Sequence, residues 1–187
     1  MKRPFESIVL IGMMGAGKSS VGRCLHQRTG LTLLDTDEIV ASKFSMSIPE
    51  IFAKHGEIKF REAETKALRA LAMPKQTIIV TGGGIVLRQE NVEILRQMGV
   101  IVWLDGNEDT LFARASRERN RPLLQTKRPR KAFSQIFNAR RSLYADIADV
   151  RVDTSMLTDE EIAVAILSKL GRVNPNPGSS RECGTTA

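Results

Sequence analysis

Residues 12–19 read Gly-Met-Met-Gly-Ala-Gly-Lys-Ser, a match to G-x-x-x-x-G-K-[ST]. Glycines at this spacing let the backbone curl until successive N–H groups point inward at phosphate oxygens. A helix opening at the end of the loop adds its positive terminus. Lys18 would reach the β- and γ-phosphates of ATP, and the Ser19 hydroxyl would supply a ligand to Mg²⁺. Gly15, Ala16, Gly17, Lys18, Ser19 and Ser20 are therefore the candidate nucleotide-binding residues. A flexible glycine turn is the bland alternative. Against it, an aliphatic run (Ile8–Ile11) precedes the loop and a helical pattern (Ser19–Arg28) follows, the context the motif requires.

Asp35-Thr36-Asp37 closes a second aliphatic run, Thr32–Leu34. If the extended backbone continues, alternation puts both carboxylates on one side. Phosphoryl transfer to an alcohol needs one acidic group beside Mg²⁺, often through water. It needs a second to orient the hydroxyl and accept its proton. The competing reading makes Asp37 the cap of a helix at 38–43. Arg61 lies three residues before Glu64, so the two share a helix face. A guanidinium fork matches a carboxylate, and the glutamate could fix its rotamer; an exposed ion pair worth ~0.3–0.5 kcal/mol is the plainer account. Gly82-Gly83-Gly84 follows the run Thr77–Val80 and suggests either a tight turn or close backbone approach to a ligand.

These residues need elements to position them. Further strands are expected at Val100–Leu104 and Val150–Asp153. Helices are expected from Ser47 with Pro49 in the first turn, and at Glu57–Leu71, Glu90–Met98, Glu108–Glu118, Ala132–Ala148 and Thr158–Leu170. Strands alternating with helices argue for an α/β fold with a mainly parallel sheet, in one domain over residues 1–171. Residues 119–131 hold two prolines and six basic residues, a surface segment by composition. The Pro-, Gly- and Ser-rich tail, 172–187, reads as disordered. Trp103, Phe112 and Cys24 read as core, and Met13 and Met14 as loop positions needing no role.

The net charge of +7 suits either a nucleic-acid surface or a cleft for small anions. The basic residues concentrate in 119–131 and near Arg140, without a long stripe of interleaved aromatics, so no nucleic-acid partner is expected. Cys24 and Cys183 have neither metal nor disulfide spacing. The N-terminal apolar run is short and lacks a cleavage-type ending, and no run approaches ~20 apolar residues. The expectation is a cytoplasmic monomer that binds no membrane.

With these motifs the sequence resembles the shikimate kinases, over roughly Ser7 to Leu170. The resemblance implies a P-loop NTPase-like three-layer α/β/α fold with a five-stranded parallel sheet, a mobile lid (about 119–131) and a helical substrate-binding segment. It implies ATP and shikimate as substrates, Mg²⁺ as cofactor, and phosphorylation of the shikimate 3-hydroxyl in aromatic amino-acid biosynthesis. Asp35 resembles the metal-side aspartate acting through water, and Asp37 the base on the reacting hydroxyl. Arg61 resembles the arginine gripping the acceptor carboxylate, beside Phe60, and Gly82, Gly83 and Gly84 the turn whose backbone contacts the acceptor. Arg121 resembles the lid arginine, Arg140 a second carboxylate-binding arginine, and Arg114 the residue stacking on adenine, with Thr154 and Ser155 nearby. Lys18, Asp37 and Arg121 are thus the catalytic set. Ser142 stands where the family often has proline, and Arg141 beside Arg140 leaves open which arginine reaches the acceptor. A kinase of another hydroxy acid such as gluconate, and a nucleic-acid-linked ATPase, remain the competing functions.

Overall fold

The computed structural model describes residues 7–71, 76–117 and 121–171. The expected disordered tail at 172–187, Cys183 within it, and residues 119–120 of the basic segment lie outside the described residues. The strand β1 (Ser7–Gly12) is buried at every position. It leads through the phosphate loop into α1 (Lys18–Thr29), which Gly30 ends in a left-handed cap (φ 70°). Then follow β2 (Thr32–Asp35), α2 (Thr36–Phe44), α3 (Ile48–Ala70), β3 (Thr77–Val80), α4 (Gln89–Met98), β4 (Gly99–Asp105), α5 (Glu108–Arg117), α6 (Pro129–Ile147), β5 (Val150–Asp153) and α7 (Asp159–Lys169). The five strands form one sheet in the order β2-β3-β1-β4-β5, and each neighbouring pair is parallel.

Successive side chains of a strand face opposite sides of the sheet. Every residue of β1 and β3 is buried, so both faces are covered. Strand order changes sides at β1, since β3 lies on one flank and β4 on the other. Ligands of open parallel sheets bind beyond the carboxyl ends of the strands at such a switch point. There the chain places the phosphate loop, Asp35 and the glycine turn. A second, smaller cluster (Val40, Ile51, Phe60, Ala63 and Ala67) packs α2 against α3 apart from the main core. Helix α2 directly follows the edge strand β2, so this helix pair stands at that end of the strand order.

Three boundaries differ from the sequence expectations. The helix expected from Ser47 and that at Glu57–Leu71 form one run, α3, broken only at Gly56 (φ 77°, ψ 168°). Ser47 caps it in a reciprocal pair with Glu50. Helix α6 starts at Pro129, not Ala132, because a proline at the first helical position loses no hydrogen bond. The basic segment therefore gives up its last three residues to a helix. At β2, extended backbone stops at Asp35, so Asp37 lies in the first turn of α2 and not on a continued strand.

Candidate active site

The phosphate loop takes the shape its glycines permit: Gly15 and Gly17 have φ of 83° and 82°, which residues with a Cβ rarely adopt. Helix α5 packs so closely that a Cβ on Gly15 would overlap the Leu111 carbonyl. Lys18 folds back, its Nζ donating to the carbonyls of Gly12 (2.9 Å) and Met13 (3.0 Å). Burial, and then the charge of Arg121, lower its pKa from 10.5 to about 8. Between those values Lys18 is largely neutral in the free protein, and a bound polyphosphate favours its charged form. ATP binding at pH 8.5 should therefore take up a proton. Calorimetry in buffers of different ionisation enthalpy should register that uptake, and Lys18→Met should abolish it. Ser20 instead turns toward its own helix and accepts from Arg23 Nη2 at 3.2 Å.

Asp35 caps α2: its Oδ1 accepts from the Asp37 N–H at 2.9 Å, and its Oδ2 accepts from the Ser19 hydroxyl at 3.2 Å. The cap role weighed for Asp37 thus falls to Asp35, which leaves the Asp37 side chain available. Asp37 Oδ1 is buried without a hydrogen-bond partner among the described residues. Burial and the neighbouring Asp35 push its pKa above the ordinary aspartate value, while Lys18, Arg121 and Arg61 pull it down. Ser19 and Asp35 present a hydroxyl and a carboxylate side by side, hard oxygen donors of the kind Mg²⁺ selects. The residues fit that ion.

Arg61 and Glu64 are not the exposed pair that sequence alone favoured. Arg61 is 8% exposed and Glu64 0%. Arg61 Nη1 donates to Glu64 Oε2 at 3.0 Å, and Arg61 Nη2 to Glu57 Oε1 at 3.0 Å. Burial works against the arginine charge, but Glu64 and Glu57 outweigh it and hold its pKa above the usual value. The glycine turn lies against this pair. A Cβ on Gly82 would sit 2.6 Å from Glu64 Oε1 and 2.7 Å from Asp37 Oδ1; one on Gly84 would overlap the Arg61 guanidinium. The triplet is thus a close-approach surface and not merely a turn. Gly84→Ala should displace the flexible end of Arg61, costing about 1–3 kcal/mol of stability. Steady-state kinetics should then give a KM for the acceptor raised about tenfold, with the KM for ATP unchanged.

One cavity of about 280 Å³ gathers Asp37, Arg61, Gly82, Gly83, Gly84, Arg121 and Arg140. That volume sits just below the ~300–1,000 Å³ of small-molecule sites and suits a compact acceptor, not a polymer. Helix phase separates the two adjacent arginines. Arg140 is 6% exposed and lines the cavity. Arg141 is 51% exposed, with Nη2 3.6 Å from Asp105 Oδ2 outside it. Arg114 lies apart from the cavity: its guanidinium donates to the carbonyls of Thr154 (3.0 Å) and Ser155 (3.5 Å), beside the phosphate loop on the α5 side.

Sequence reasoning missed part of the wall. Met14, Ser47, Phe52, Pro122 and Leu123 also line the cavity, and Met13, 2% exposed, belongs to the core. Pro122 and Leu123 fall in the expected lid segment and Ser47 at the expected helix start, whereas Met14 reads in sequence as a loop position needing no role and Phe52 carries no signal. The basic segment is also less free than its composition implied. Arg130 pairs with Glu108 (3.0 Å) and Asp109 (2.5 Å) and lies over the Phe112 ring.

A phosphate loop at the switch point of a parallel sheet, facing a small cavity that holds a half-buried aspartate and two buried arginines, defines a P-loop kinase of small molecules. The family model for shikimate kinase matches residues 14–171, and the chain belongs to that family. A shikimate kinase of Thermodesulfovibrio yellowstonii is 40% identical over 169 residues, spanning 90% of this chain and 97% of the relative. The structure of shikimate kinase from Acinetobacter baumannii in complex with shikimate has a TM-score of 0.86 at 35% identity, covering 89% of this chain and 93% of that one. The Aquifex aeolicus shikimate kinase structure has a TM-score of 0.77 at 34% identity, covering 88% and 96%.

Proposed function

We propose that the protein transfers the γ-phosphoryl group of ATP to the 3-hydroxyl of shikimate, giving shikimate 3-phosphate and ADP. The observation that carries this reading is the burial of two arginines, Arg61 and Arg140, in the cavity that also holds Asp37. Two buried guanidinium groups call for an anionic partner, and a carboxylate matches their fork. The Gly82–Gly84 backbone contributes hydrogen-bonding groups at close range to the acceptor. Arg61 already has Glu64 and Glu57 beside it, but an uncharged polyol would bring no counter-charge to Arg140, which weighs against such acceptors.

In the reaction, the acceptor hydroxyl oxygen bonds to the γ-phosphorus while the bond to the β–γ bridging oxygen breaks, and ADP leaves. The hydroxyl proton passes to Asp37, whose raised pKa suits a general base. Lys18 and Arg121 neutralise charge on the transferring group. Ser19, and Asp35 through water, would hold Mg²⁺, which supplies further neutralisation of the phosphates. Closure of the segment around Arg121 would exclude water and spare ATP from hydrolysis.

The same reading makes residues 1–171 one kinase domain and places Arg114 with Thr154 and Ser155 at the adenine. It makes the protein a cytoplasmic monomer serving aromatic amino-acid biosynthesis. Among the described residues no helix is long and apolar enough to cross a membrane. An ADP-release assay against a panel of acceptors tests the assignment. Shikimate should be turned over well above quinate, gluconate and glycerol; preference for gluconate would replace it with the competing hydroxy-acid kinase. Steeply salt-sensitive binding to DNA or RNA would revive the nucleic-acid alternative.

A further inference from the structure

Tyr144 follows Arg140 by one turn of α6, so both side chains leave the same face of the helix. It is 2% exposed, and its ring stacks on Trp103 of β4 with centroids 6.1 Å apart and planes at 28°. Arg151 lies over the Trp103 ring at 5.1 Å and reaches Asp105 at 2.5 Å, extending the stack toward the surface. This packing holds the ring and aims its hydroxyl at the cavity wall. The hydroxyl donates to the Gly83 carbonyl, and the Arg140 charge acts on it from one helical turn away. A phenol has one proton to give. That proton is committed to the Gly83 carbonyl.

We propose that Tyr144 is a positioning residue for acceptor recognition, its hydroxyl holding the Gly83 turn against the face of α6 that carries Arg140, in the one arrangement that receives the acceptor carboxylate. The proposal rests on the shikimate kinase reading above. Arg140 comes from α6, and the glycine turn from the loop after β3. They are distant in sequence, yet both must meet one small ligand within a few tenths of an ångström. A single buried hydroxyl that leaves the Arg140 face of α6 and bonds the turn fixes their spacing. Burial, its largest influence, pushes the phenol pKa up to about 12, so the hydroxyl keeps its proton, and the bridge its polarity, at neutral pH. The Trp103 stack limits the freedom of the ring to leave that position.

Tyr144→Phe removes the hydroxyl and keeps the ring and its stack. The KM for shikimate should rise about tenfold, near the upper size of one neutral hydrogen bond. The kcat should change less than threefold, the KM for ATP less than twofold, and the Tm by no more than about 2 °C. A shikimate KM within twofold of wild type overturns the proposal. So does a parallel rise in both KM values with a lowered Tm, because that pattern marks general loss of structure. In the double variant with Arg140→Lys, Tyr144→Phe should add less than twofold to the Arg140→Lys defect, since the spacing it fixes serves that arginine; full additivity contradicts this. Wild-type protein that releases no ADP with shikimate overturns the functional reading itself, and that control is scored before any variant.

Discussion

Asp37→Asn should lower kcat by about 10²–10⁴-fold, the range for loss of a general base, while the KM for ATP stays within twofold. The expectation follows from how the two aspartates divide their work. Asp35 is committed to the first turn of α2 and to Ser19. Asp37 has a buried oxygen with no partner among the described residues, within 2.7 Å of the point where a Gly82 Cβ would stand. Asparagine keeps the size of the side chain but cannot accept the proton. The pH profile supplies a second readout. Asp37 must be ionised to act, and burial, followed by Asp35, raises its pKa above the ordinary 3.8. In wild type, kcat/KM should therefore fall on acidification at a pH above the usual aspartate range. The residual activity of the asparagine variant should lack that limb. Near-normal kcat in the variant would remove Asp37 from the mechanism.

Arg61→Ala should raise the KM for shikimate by about 30–100-fold, the loss expected for a buried charge-assisted contact, and leave the KM for ATP nearly unchanged. It should also destabilise the fold, because Glu64 is completely buried and loses its partner. Breaking a buried pair in this way costs about 3–5 kcal/mol. Burial already pushes the Glu64 carboxyl up, so on acidification it can take a proton and recover part of that loss. The companion change Glu64→Gln separates the two effects. Arg61→Ala with Glu64→Gln should regain most of the lost Tm, measured by thermal unfolding, and none of the lost shikimate affinity. Recovery of both would make Arg61 a structural residue only.

What could be read in the sequence follows the range of the interactions. The phosphate loop is a local device: its glycines, Lys18 and Ser19 are consecutive, and the flanking strand and helix are visible as aliphatic and amphipathic runs. The alternating elements give the parallel sheet, and Gly30, Ser47 and Thr158 mark helix ends through local capping chemistry. Legibility fails where tertiary contact decides. Asp35 and Asp37 have the same chemistry, and only the switch from strand to helix at Thr36 assigns the cap to the first. Arg140 and Arg141 are adjacent, and the phase of α6 sends one inward and the other to Asp105. Arg61 and Glu64 look like a surface pair until α3 is laid against α2 and the glycine turn. Met14 and Phe52 carry no local signal, since lining a cavity depends on what lies opposite. Their place became visible only with α3 set opposite the glycine turn across the cavity.

The most direct measurement is phosphorus NMR of a mixture of purified protein, ATP, Mg²⁺ and shikimate. A single new phosphomonoester resonance should grow in step with ADP, coupled to the ring proton at the 3-position of shikimate, and should be absent without the protein. ADP formed together with free phosphate only, or a spectrum unchanged by the protein, would contradict the assignment.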